Sequence, residues 1–180
     1  MDSTGRSLTV LSALSPGKKV LNYWSNSNDL HLKILVPSAK TFAGVDIATV
    51  SGDILLSGLV LQKLSVRGVS GQCALKNGSS KQVEVRTVSG DVQSVRFLVG
   101  ALDVKSVSGD VDLEAKGAQK PSYSIKTVSG DLRLQLGSKA SPKVQFQSLS
   151  GELTNRLGKS QKSAGSIRFS SLSGDAKIYR

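Results

Sequence analysis

Cysteine occurs once in the 180 residues, at Cys73, so no disulfide can close within the chain and no cysteine pair is available for a redox or zinc motif. Histidine also occurs once, at His31, which excludes any site built on two histidines. Aromatic residues make up 4% of the chain, too few to interleave a stacking platform for bases, so nucleic acid is not an expected partner. No run of 18 apolar residues is present, so no helix is expected to span a membrane. Apolar residues never settle into a spacing of three to four, which argues against helices. Walker-type loops, dinucleotide fingerprints, metalloprotease motifs and EF-hand loops are missing as well, and no cofactor is expected. Acid is scarce: 13 Asp and Glu stand against 24 Lys and Arg, a formal net charge of +11.

What is present is a globular composition, 38% hydrophobic, in a chain long enough for one domain with a sizeable core. One phrase recurs seven times: VSGDI at Val50–Ile54, VSGQC at Val69–Cys73, VSGDV at Val88–Val92 and at Val107–Val111, VSGDL at Val128–Leu132, LSGEL at Leu149–Leu153 and LSGDA at Leu172–Ala176. Its Ser falls at 51, 70, 89, 108, 129, 150 and 173, giving spacings of 19, 19, 19, 21, 21 and 23. A period near 20 with small insertions marks a solenoid, in which each repeat buries its apolar side on its neighbours.

Alignment on that Ser turns the phrase into geometry. Six residues before it stand Val45, Leu64, Val83, Leu102, Tyr123, Val144 and Ile167, and four before it Ile47, Val66, Val85, Val104, Ile125, Phe146 and Phe169. The positions between are mostly polar, a period of two that predicts a strand with one buried face. Three residues after the Ser, Ile54, Cys73, Val92, Val111, Leu132, Leu153 and Ala176 begin a second inward-facing strand. The residue just before the Ser breaks the parity of the first strand and matches that of the second, which places a corner or bulge there with both segments facing one core. The glycines, among them Gly52, Gly90, Gly109 and Gly130, are expected at φ > 0, and Asp53, Asp91, Asp110 and Asp131 are expected to close the turns by accepting backbone N–H bonds.

The fold class that follows is all-β: a single β-solenoid (β-helix) of seven or eight coils with a period of 19–23 residues, its equivalent strands parallel and in register. Residues 45–180 hold the repeats, and residues 1–44 form an N-terminal cap or atypical first coil, with Tyr23 and Trp24 covering the open end and Leu30, Leu32, Ile34 and Val36 alternating before Pro37. A β-sandwich also accommodates short strands and Gly turns, but it does not explain why equivalent positions keep their character through seven copies. The final AKIYR is read as a bare end of the solenoid, a cut edge, or a surface that pairs with a partner.

The repeated T-V-S-G-D between alternating strands resembles a bacterial family of adhesin-like β-strand-repeat proteins. The likeness runs from Leu30 to Arg180 and includes the lead-in LHLKILVP; Thr49, Thr87 and Thr127 with the following VSGD fit best, while Gly68, Ser106, Ser148 and Ser171 depart at the Thr and Gln72 and Glu152 at the Asp. The resemblance implies a secreted or envelope-associated protein and brings no catalytic residues with it. The opening MDSTGRSLTVLSALSPGKKV has its lysines after its apolar residues, the wrong order for a signal peptide, so the envelope or extracellular space is expected if the chain is a mature fragment and the cytoplasm otherwise.

Two ladders are candidate sites. Asp53, Asp91, Asp110, Asp131, Glu152 and Asp175, with Gln72 interrupting, form an acidic row best read as turn carboxylates; a divalent-cation row or a glycosidase pair would need several carboxylates converging on one point. Arg67, Arg86, Lys105 and Lys126, three residues before the Ser, form an outward basic stripe suited to an acidic polymer, a polysaccharide or an anionic surface. Lys139, Lys143, Lys159 and Lys162 fall in the longer inter-repeat loops, where a binding site is most easily grafted. Cys73 takes an inward position and is expected to be an inert thiol. The function expected is a non-enzymatic surface or envelope-associated module, with a scaffold that self-assembles through its terminal coils, or a carbohydrate-active enzyme, as the alternatives.

Overall fold

In the computed structural model, residues 6–13, 18–25, 41–116, 120–138, 140, 142–157 and 165–180 are described. They contain fourteen strands and no helix: β1 (Arg6–Ala13), β2 (Lys18–Ser25), β3 (Thr41–Ser51), β4 (Ile54–Ser57), β5 (Val60–Ser70), β6 (Cys73–Arg86), β7 (Val92–Lys105), β8 (Val111–Ala115), β9 (Ser122–Lys126), β10 (Leu132–Leu136), β11 (Lys143–Ser150), β12 (Leu153–Asn155), β13 (Ser166–Ser173) and β14 (Ala176–Tyr179). From β3 onward every pairing is parallel and in register, so the chain winds into a β-solenoid of about six turns. β6 and β7 each serve two sides of a coil by bending at a left-handed residue, Asn77 (φ 52) and Arg96 (φ 50), where Gly58 (φ 73) separates β4 from β5.

The two periods of alternation become columns of the core. Ile47, Val66, Val85, Val104, Ile125 and Phe169 stack on one side, and Cys73, Val92, Val111, Leu132 and Ala176 on the other, all buried. Parallel in-register strands bury each inward side chain against the equivalent position of the layers above and below. That is why one short phrase can be reused layer after layer.

The N-terminal strands do not add a parallel coil. β1 lies antiparallel to β3, with Thr9 opposite Ala48 and Ser12 opposite Val45, and β2 lies antiparallel to β1. The backbone of Tyr23 and Trp24 is in β2, but their side chains, together with Leu30, His31, Leu32, Ile34 and Val36, lie outside the described residues.

The other end departs from chain order. β13 pairs with β9 on one side and with β11 on the other; β14 likewise lies between β10 and β12. The Ser column therefore reads Ser51, Ser70, Ser89, Ser108, Ser129, Ser173 and then Ser150. The coil made last is inserted between the fifth and sixth, so AKIYR is not a bare end: Ile178 stands between Leu134 and Asn155.

Close stacking explains the glycines. At Gly109 φ is +134, and an added Cβ would run into the carbonyl oxygen of Gly90 beneath it. Gly90 itself is a correction to the expectation of φ > 0, for it is absent from the positive-φ glycines. Space decides there instead, because its Cβ would meet the Gly71 carbonyl.

Candidate functional site

The two candidate ladders gather at the repeated corner. In five of the seven repeats the corner is closed by a hydroxyl two residues before the Ser: the side chains of Thr49, Ser106, Thr127, Ser148 and Ser171 donate to the carbonyl of that Ser, at 3.1, 3.0, 3.0, 3.0 and 2.8 Å. Thr and Ser are interchangeable here because the hydroxyl does the closing.

The acidic row does something different from what the turn reading supposes. Five of the six carboxylates accept from the backbone N–H at the same position of the next layer: Asp53 from Gln72 (2.8 Å), Asp91 from Asp110 (2.9 Å), Asp110 from Asp131 (2.9 Å), Asp131 from Asp175 (2.9 Å) and Asp175 from Glu152 (2.8 Å). The row stitches coils together rather than closing its own turns. A charged acceptor roughly doubles the strength of such a bond, which offsets the like charges stacked about 5 Å apart. Among the described residues no three His, Cys, Asp or Glu converge on a point that could hold a metal.

Arg67, Arg86, Lys105 and Lys126 occupy successive layers of one exposed column. It continues through Ser170 to Gln147. Two of the four cations meet an acid on their own strand. Arg86 bonds Glu84 at 2.7 Å, and Lys105 lies 3.7 Å from Asp103. The Arg86 hydrogen bond holds the Glu84 carboxyl below the usual carboxylate range. Arg67 and Lys126 have Ser65 and Ser124 in that place, so their charge is not offset along the strand.

The residue before each Ser is the feature that sequence reasoning misplaced. Val50, Val69, Val88, Val107, Val128, Leu172 and Leu149 do not face the core; they are exposed by 46% to 82%. The parity of the first strand simply continues through them, two residues past the outward cation, and the change of face comes at the Gly–Asp step. That the outward cation stands two residues earlier was the available signal. The result is an apolar ridge along the corner, with the cation column on one side and the acidic row on the other.

The remaining positions are quiet chemically. Burial pushes the Cys73 thiol up to about 12, so it is no nucleophile at neutral pH. Tyr123 is buried and its phenol donates to the Val99 carbonyl at 2.9 Å; burial raises its pKa. A gap of about 10 Å³ under the corner, lined by Thr49, Gly52, Gly68 and Thr87 among others, has room for about one water. Lys143 begins β11 and is exposed, whereas Lys139, Lys159 and Lys162 lie outside the described residues.

A family model described as Toastrack DUF4097 matches residues 14–179. No curated protein and no solved structure matches the chain.

Proposed function

Because the chain belongs to the Toastrack DUF4097 family, whose function is unassigned, we propose its role from the surface: a non-enzymatic, adhesin-like binding module of the cell envelope that presents side-chain columns to an acidic polymer. The observation carrying this reading is the run of Arg67, Arg86, Lys105 and Lys126 on four consecutive layers, about 4.8 Å apart, on a rigid face. Such a row meets a flexible polyanion at many points, each weak, and gains strength by multivalency. The acidic row supports the non-enzymatic reading, since its carboxylates are engaged with backbone amides rather than aimed at one another.

The test is binding to dextran sulfate and to an uncharged dextran at low and high salt. The protein should bind only the sulfated polymer, and the Arg67→Ser/Arg86→Ser/Lys105→Ser/Lys126→Ser variant should bind at least tenfold more weakly with an unchanged far-UV spectrum. Equal binding by that variant would refute the assignment of this column.

End-to-end assembly is a second reading, favoured by one observation. Among the described residues β11 pairs only with β13 and β12 only with β14, leaving an edge on the coil of residues 143–155.

A further inference from the structure

The corner carries three parallel columns with three chemistries. Its crest is apolar over seven layers, Val50 to Leu149, about 29 Å long at about 4.8 Å per layer. On one flank are Arg67, Arg86, Lys105 and Lys126; on the other are Asp53, Asp91, Asp110, Asp131, Asp175 and Glu152. A contiguous exposed apolar strip of this kind marks an interaction surface. Six acids along its border make an anionic membrane a poor match, whereas opposite charges on the two flanks make the strip complementary to itself.

We infer that the ridge is a lateral dimer interface whose occupant is a second copy of this chain, lying parallel, with the two-fold axis along the stack. That symmetry sets ridge on ridge and layer on layer. It also lays the cation column of each copy over the acidic row of the other, so that Arg86, Lys105 and Lys126 face Asp91, Asp110 and Asp131 of the second copy. Antiparallel packing would put cation on cation and acid on acid. The arrangement repeats in β-form the logic of a parallel coiled coil, an apolar seam edged by charges that select orientation. A strip about 29 Å by about 15 Å buries on the order of 400 Å² per copy, about half the area of a standard specific interface, so the dimer is weak, transient and salt-sensitive. The inference stands apart from the polymer reading, although a polyanion would compete with the second copy for the same cations.

Sedimentation equilibrium of the full chain tests it, from about 10 µM to about 1 mM in about 50 mM NaCl. The weight-average mass should rise from 18.9 kDa toward twice that value. The Val88→Thr/Val107→Thr/Val128→Thr variant and the Arg86→Glu/Lys105→Glu/Lys126→Glu variant should each dissociate at least tenfold more readily, with unchanged far-UV spectra. About 500 mM NaCl should weaken the wild-type dimer at least threefold. A mass that stays at the monomer value overturns the inference, as does a dimer indifferent to the threonine variant, which would place the contact elsewhere, for instance at a coil end. A dimer that needs the valines but ignores charge reversal and salt overturns the parallel arrangement. Ridge-dependent pelleting of a monomeric protein with phosphatidylglycerol vesicles would assign the strip to lipid and likewise overturn it.

Discussion

Between Thr41 and Leu136 each coil stacks on the one made before it, whereas beyond Lys143 the chain lays down one coil, steps back and fills the space between that coil and the rest. The two regions use the same parts. Ser129 meets Ser173 as Ser108 meets Ser129, and the Asp131 carboxylate takes the amide of Asp175 as Asp110 takes that of Asp131. The same bridges and carboxylate–amide bonds join layers in both, so the stacking chemistry specifies that coils pair in register but not which coil pairs with which. Order must come from what differs between repeats: the side chains that fill each layer and the lengths of the connections. The chain-ordered coils have spacings of 19 or 21 residues, and the step back takes the longest, 23.

A covalent probe can break this comparison outright. In a Cys73→Ala background, Ser129→Cys with Ser173→Cys should oxidise readily to a disulfide, since the two positions are bridge partners on neighbouring layers. Ser129→Cys with Ser150→Cys should stay reduced, one layer too far apart. Free-thiol titration after mild oxidation reads the result, and the reverse outcome would restore simple chain order.

Truncation of the stacked ring pair sharpens the difference energetically. Phe169, in the inserted coil, is 1% exposed and has neighbours above and below; Phe146, in the outer coil, is only partly buried and stacks on it at 5.7 Å. Phe169→Ala should cost about 3–5 kcal/mol and Phe146→Ala about 1–2 kcal/mol in urea unfolding. Equal costs would mean that the outer coil is covered as well as the inner one.

The smallest effect concerns the chain-ordered region alone. The Cys73 thiol, held at about 12 against an ordinary 9.0, should resist iodoacetamide at pH 8 until the protein unfolds. Its raised pKa contributes stability that is fully present below pH 9.0 and is lost as pH rises through about 12, because the unfolded chain gives up its proton first. Rapid alkylation of the native protein at pH 8 would show that this layer opens easily.

The sequence was most legible where one residue decides one direction. Val66, Val85 and Val104 had to face inward by parity, and the stacked coils follow from seven equivalent phrases. It was less legible at Val69, Val88 and Val107, where β-branched apolar residues suggested a core position and the strand's parity, carried two residues further, placed them outside. The role of Asp110 was half visible: an Asp after Gly signals a backbone bond, but whether the amide belongs to its own turn or the next coil depends on stacking. The inversion of the last two coils was invisible for a stronger reason. Leu149 and Leu172 head repeats of nearly identical pattern, so exchanging their places leaves every alignment column intact.

The inserted coil also bears on how such a protein comes into being. A ribosome delivers residues 143–155 before the layer on which they are to stand, residues 166–179, has been made. Growth by simple accretion, each turn freezing onto the last as it emerges, can carry the stack only as far as Leu136. Thereafter the earlier segment must wait, unattached, until the later one has docked, or hold a space into which the later one is wedged like a keystone. In either case two layers mature together, and their assembly is coupled to translation of the stretch that ends at Tyr179 rather than proceeding one repeat at a time.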